Sequence, residues 1–133
     1  MTHKFQCRVY YEDTDMGGIV YYANYLKFIE RARSEEVRAL DVDQHHLKDD
    51  LGIVFAVRRI EADYLKPAKL DDLLEVETTL LDLSGVRLIY QQDVKRGDDL
   101  LFAAKVTVVC IGNSGGPARF PADIRRKFEE TLA

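Results

Sequence analysis

The chain has 133 residues, 47% of them hydrophobic and 32% charged, with a formal net charge of −4. That length buries one modest core, and the composition is that of a folded chain, which excludes disorder. Lys and Arg are scattered, which excludes the basic footprint of a nucleic-acid binder, and no apolar run approaches the roughly 20 residues that cross a bilayer.

A single domain over residues 1–133 is therefore expected. The opening MTHKFQCRVYYEDTD has no apolar segment of the secretory kind, so a cytoplasmic location is expected. Cys7 and Cys110 have neither C-x-x-C spacing nor a nearby His, and read as two buried free thiols.

In chain order, FQCRVYY at 5–11 is short and rich in aromatic and β-branched residues, and predicts a strand running into the acidic turn EDTD. The period then changes. Tyr22, Tyr25, Leu26, Ile29, Ala32, Val37 and Leu40 fall on one side of a helix, the one long helix expected. Arg33 and Glu36 fall within the same stripe one turn apart. Unpaired burial of either costs several kcal/mol, so both must find partners, in each other or in a loop backbone.

VDQHHLKDD reads as a polar connection, a solvated loop, and from there to residue 111 everything reads as strand. RIEADYL alternates, with Ile60, Ala62 and Tyr64 on one face and Arg59, Glu61 and Asp63 on the other. LLEVETTLLDL, VRLIYQQDV and LLFAAKVTVVCI follow, separated by the turn signals SG and RGDD. Four such strands predict an antiparallel meander, and PADIRRKFEETL a short terminal helix opened by a proline. One helix cannot cover both faces of a five-stranded sheet, so the sheet must curl around it, and its leftover edges favour dimers. The expected class is α+β.

Several motifs can be set aside. GNSGG fits the G-x-S-x-G nucleophile elbow, but no His follows Ser114 and no helix pattern comes directly after it, so it reads as a Gly-rich turn. His45 and His46 match no familiar ligand spacing, and EDTD lacks the length and terminal Glu of an EF-hand loop; no metal is expected. Gly17-Gly18 is no dinucleotide fingerprint.

EDTDMGGIVYYANY at 12–25 is more informative. Glycines let a ligand approach backbone N–H groups, and the first amides of the helix that follows have no internal acceptor and attract developing negative charge. A carboxylate beside such amides permits acyl transfer. Asp15 lies nearer the glycines, while Asp13 can cap or brace the turn; both can equally be turn formers only. Thioesters suit a site without a Ser-His-acid triad, because a thiolate leaves without prior protonation and a carboxylate with an amide for the oxyanion suffices.

YYEDTDMGGIVYYANYLKFIERARSE at 10–35 closely resembles the signature of hotdog-fold acyl-CoA thioesterases of the 4-hydroxybenzoyl-CoA thioesterase family. VRRIEADYLKPAKLDDLLEVET at 57–78 is similar to the branch associated with the tol-pal system. The resemblance covers nearly the whole chain. It implies a hotdog fold, a long helix wrapped by a five-stranded antiparallel sheet, with two subunits joining their sheets into a dimer and two dimers into a homotetramer. It also implies sites at the subunit interface and an acyl-CoA substrate, with no cofactor beyond the coenzyme A of that substrate.

In the family's motif the second aspartate of D-x-D is catalytic, Asp15 here, and the polarising backbone N–H belongs to Tyr22, with Gly18 of the glycine pair beside the substrate. Two departures stand out. Tol-pal relatives often carry a histidine at the position of Tyr22. The basic cluster that grips coenzyme A phosphates near the third hairpin is reduced to SGVR, leaving Arg87, so Arg58, Arg59, Lys66 and Lys69 of either subunit become candidates. Acyl carrier protein is a second possible acyl donor, and a module that binds acyl-CoA without turnover is the non-enzymatic alternative.

Overall fold

The computed structural model describes residues 1–133. Strand β1 (Thr2–Arg8) leads through a 3-10 turn (Tyr11–Asp13) to helix α1 (Asn24–Ala39) and helix α2 (Gln44–Leu51). Strands β2 (Val54–Tyr64), β3 (Leu73–Leu83), β4 (Arg87–Arg96) and β5 (Asp99–Ile111) follow, then helix α3 (Ala122–Glu129). The fold is α+β, a five-stranded antiparallel sheet with order β1-β3-β4-β5-β2.

β3, β4 and β5 form the expected meander, but β2 does not join it at β3. It pairs with β5 on the opposite edge, Val54 facing Ile111 and Tyr64 facing Phe102, while β1 takes the outer side of β3. The reason lies in the link from residue 65 to 72, which is too long for a tight hairpin and contains Pro67. The Leu65 and Lys66 amides both donate to the Leu101 carbonyl, at 2.8 and 3.1 Å, as the chain crosses to the other edge.

α1 lies along the inner face of the sheet. Phe28, Ile29, Ala32 and Val37 share one buried cluster with Leu74, Val76, Leu88, Val94, Val106 and Val108 from the strands. The helix starts at Asn24 rather than Tyr22, so Tyr22 sits in the turn before it, 63% exposed, and Leu26 lies at the stripe's margin. Phe28, absent from the predicted stripe, is fully buried. An aromatic residue one turn from Ala32 completes the apolar face that Tyr22 was expected to open.

The polar connection after α1 is a correction, because it folds as helix α2. Asp43 caps it by accepting from the His46 amide at 3.1 Å, His46 pairs with Asp50 one turn on, Leu47 is buried, and Gly52 ends it in the left-handed region at φ 66°. One buried apolar residue in eight gives little periodic signal, but the cap at each end is enough to start and stop a two-turn helix.

Arg33 and Glu36 find partners as required, though not each other. Arg33 donates to Gln92 Oε1 at 2.8 Å, and Gln92 Nε2 in turn donates to the Ile29 carbonyl and to Thr78 Oγ1, both at 2.9 Å. Glu36 accepts from the Tyr90 hydroxyl at 2.9 Å. Burial pushes the Glu36 carboxyl up to about 7, against a smaller downward pull from that hydrogen bond. Cys110 is buried and Cys7 half-buried, both as free thiols, and burial raises Cys7 to about 11.

Candidate active site

The two aspartates before α1 are held in opposite ways. Asp13 is buried, and both its oxygens are engaged: Oδ2 accepts from the Tyr10 amide at 2.8 Å and Oδ1 from Asn24 Nδ2 at 2.9 Å. Its carbonyl also accepts from the Tyr21 amide at 2.8 Å. Asp13 therefore staples the loop to the first residue of the helix, a buried brace with each oxygen holding one end of it.

Asp15 is exposed, and its side chain makes one hydrogen bond within the protein, from the Gly17 amide to Oδ1 at 2.9 Å. The other carboxylate oxygen is open. A narrow loop presents it: Thr14 bridges Val20, the Asp15 amide donates to the Ile19 carbonyl at 2.9 Å, and the Gly18 amide returns to the Asp15 carbonyl at 3.0 Å. Gly18 closes this turn at φ +77°, where a Cβ is strained. At Gly17 a Cβ would sit 3.2 Å from Asp15 Oδ1, so its absence allows the amide to reach the carboxylate.

On the helix side, the Tyr21 carbonyl accepts from the Asn24 amide at 2.8 Å and the Tyr22 carbonyl from the Tyr64 hydroxyl at 2.9 Å. The Tyr22 N–H donates to no protein atom. This is a free donor in the turn immediately before α1, beside the helix end whose aligned peptide dipoles favour negative charge.

Asp15 and Tyr22 line one open cleft of about 430 Å³, together with Ile19, Tyr25, Tyr64 and Lys66. Its aromatic wall is packed ring on ring: Tyr25 stacks on Phe102 at 4.9 Å, and Tyr64 meets both rings edge-on at 5.5 and 5.0 Å. The Tyr25 hydroxyl accepts from the Ala68 amide at 3.0 Å, and the Ala68 carbonyl accepts from the Val20 amide at 2.8 Å, which ties the β2–β3 crossover to the loop. Burial, then the neighbouring Tyr22 and Tyr25 hydroxyls, hold the Tyr64 phenol above its usual range, so it is a donor at neutral pH. Carboxylate, free amide and apolar wall together can polarise a carbonyl and deliver a nucleophile to it.

Of the predicted cations, Lys66 lines this cleft within one chain and the arginines do not. Arg58 and Arg87 line a different cleft of about 510 Å³, with Ser84 and Val86, and Arg58 is six residues along β2 from Tyr64, roughly 20 Å at strand rise. Arg59 pairs with Glu61 at 2.9 Å, and Lys66 at the mouth of the Asp15 cleft pairs with Asp99 at 3.2 Å. Lys69 is held by its backbone, which bridges Ile19. Asn24 and Tyr64 were missed as site residues, because their hydrogen bonds join segments distant in sequence.

The model of the Thioesterase-like superfamily matches residues 9–128. The acyl-CoA thioesterase YbgC of Haemophilus influenzae is 42% identical over 125 residues, 93% of this chain and 92% of that protein. The acyl-CoA thioester hydrolase YbgC of Escherichia coli is 38% identical over 129 residues, 96% of each. A probable thioesterase from Bartonella henselae, solved by crystallography, superimposes with a TM-score of 0.87 at 38% identity, over 91% of this chain and all of that one. A 1,4-dihydroxy-2-naphthoyl-CoA thioesterase from Synechocystis shares the fold, with a TM-score of 0.90 at 21% identity over 98% and 97% of the two chains. Matched over nearly its full length, with its aspartate loop and helix start inside the matched region, the chain belongs to the Thioesterase-like superfamily.

Proposed function

We propose that the protein hydrolyses acyl-CoA thioesters to the free acid and coenzyme A, with Asp15 and the Tyr22 amide as the catalytic pair. The observation that carries this is the shared cleft, in which an open carboxylate oxygen and an undonated helix-start N–H are both present. The thioester carbonyl oxygen accepts from Tyr22 N–H. In one route Asp15 takes a proton from water as the resulting hydroxide adds to the carbonyl carbon, the C–S bond breaks, and the leaving thiolate takes up that proton from Asp15. In the other Asp15 itself adds to the carbon, the C–S bond breaks to leave a mixed anhydride and a thiolate, and water then hydrolyses the anhydride, freeing Asp15 and supplying the thiolate's proton. Neither route calls on a metal or a second cofactor.

In this reading the working unit is a homodimer, with two dimers forming a tetramer in the cytoplasm. β2 supports it: this edge strand of 11 residues has no partner on its outer side, and Val54, Val57, Tyr64 and Leu65 are exposed along it and just beyond. Antiparallel pairing of two β2 edges reverses strand direction, carrying the Arg58 and Arg87 cleft of one chain toward the Asp15 cleft of the other. Those arginines, with Gly18 beside the acyl group, then contact the substrate, the cations gripping its phosphates. A role alongside the tol-pal system rests on the sequence resemblance alone.

The test is thiol release from one acyl chain presented on coenzyme A and on acyl carrier protein. Faster turnover of the coenzyme A thioester is expected. Preference for the carrier-protein thioester would move the substrate to the second donor, and tight acyl-CoA binding with no thiol release would make the protein a binding module.

A further inference from the structure

The backbone of residues 21–24 receives one hydrogen bond from outside the loop and the helix. The Tyr64 hydroxyl, from the last residue of β2, donates to the Tyr22 carbonyl at 2.9 Å. That bond is not needed to anchor Tyr64, because its ring is already held edge-on by Tyr25 and Phe102. It does act on the backbone of Tyr22. The peptide group is planar, so the carbonyl of Tyr21 sets the orientation of the Tyr22 N–H, and the carbonyl of Tyr22 sets that of the next N–H, at Ala23. The first carbonyl is tied by the Asn24 amide and the second by Tyr64. Between two tied planes both backbone torsions of Tyr22 are fixed, although neither N–H is itself engaged.

We propose that Tyr64 is a positioning residue for the reaction: its hydroxyl locks the Tyr22–Ala23 peptide, the middle plane of the turn that the Asn24 amide closes on the Tyr21 carbonyl, and so keeps the Tyr22 N–H on the adjoining plane aimed at the acyl oxygen. The inference rests on the thioesterase reading above and deepens it. It makes the edge strand part of the site's machinery through one hydroxyl. The phenol is committed as a donor to Tyr22, so the reacting atoms feel it only through the backbone it holds. Such an arrangement affects the transition state selectively, because a donor for developing charge must be aimed before the charge appears, whereas ground-state binding of the acyl chain depends on the walls of the cleft.

The deciding variant is Tyr64→Phe, which deletes the hydroxyl and keeps the ring. Loss of an oxyanion donor outright costs about 10²–10³ in kcat, and loosening one is expected to cost a part of that, roughly tenfold to a hundredfold. KM should stay within about twofold and the melting temperature within about 2 °C, since the lost bond is solvent-exposed and the ring still packs. Three results would overturn the inference: wild-type kcat, a raised KM with kcat preserved, or a loss of rate matched by a large fall in melting temperature. Asp15→Asn assayed in parallel separates the two levels. If it remains active, the catalytic reading falls and the positioning role with it; if it is inactive while Tyr64→Phe turns over normally, only the positioning role falls.

Discussion

Asp13 and Asp15 differ in sequence only by position around Thr14, yet one is a buried brace and the other an open carboxylate. The difference follows from what each meets: Asp13 has the Tyr10 and Asn24 donors on either side, and Asp15 has only glycine backbone. Asp13→Ala would leave the Tyr10 amide and the Asn24 carboxamide unpaired, and should lower unfolding free energy by about 2–3 kcal/mol in urea titrations. Gly18→Ala should cost about 1 kcal/mol in the same titration, because φ +77° penalises a Cβ, and should slow turnover by displacing the Asp15 turn. At this scale the sequence was legible where chemistry is local. A glycine pair after D-x-D announces a tight turn with accessible amides. Tyr64 and Asn24 could not be found that way, since their roles come from contacts 42 and 11 residues away along the chain, Tyr64 to Tyr22 and Asn24 to Asp13.

Among the elements, α1 combines an apolar face with two ionisable groups, and its pH response follows from one of them. The Glu36 carboxyl is raised by burial from 4.5 to about 7, so the folded protein holds this proton more tightly than the unfolded chain. Its contribution is therefore complete below pH 4.5 and is lost as pH rises through about 7, on the order of 3 kcal/mol in all. Urea midpoints at pH 5 and pH 8 should show that loss in the wild type, whereas Glu36→Gln, which keeps an acceptor for Tyr90, should abolish it. Helix α2 depends on its cap, and Asp43→Ala should cost about 1 kcal/mol. Elements with a strong period, α1 and the strands β3 to β5, were readable to within a few residues. α2 was not, because caps rather than periodicity define it, and the destination of β2 was not, because strand order is set by the crossover and not by the strand's own pattern.

For the molecule as a whole, the sheet ends on one side in an open β2 edge that lies between the two clefts the reaction is proposed to use. Val57→Glu places a charge in the middle of that edge. Sedimentation is expected to show a wild type that is at least dimeric and a variant that is monomeric, with far-UV circular dichroism unchanged and thiol release lost; an active monomer would separate assembly from catalysis. A leftover sheet edge was legible in the count of one long helix against five strands, but that β2 forms one of the two edges, with β1 at the other, needed the topology. The catalytic role of Asp15 is tested most directly by Asp15→Asn, which preserves size and the contact with the Gly17 amide while removing the charge. Single-turnover thiol release from a panel of short, long and aryl acyl-CoA substrates is predicted to fall at least a hundredfold on each substrate the wild type hydrolyses, with the melting temperature unchanged. Turnover within a few-fold of wild type would contradict the assignment of that carboxylate to the chemistry.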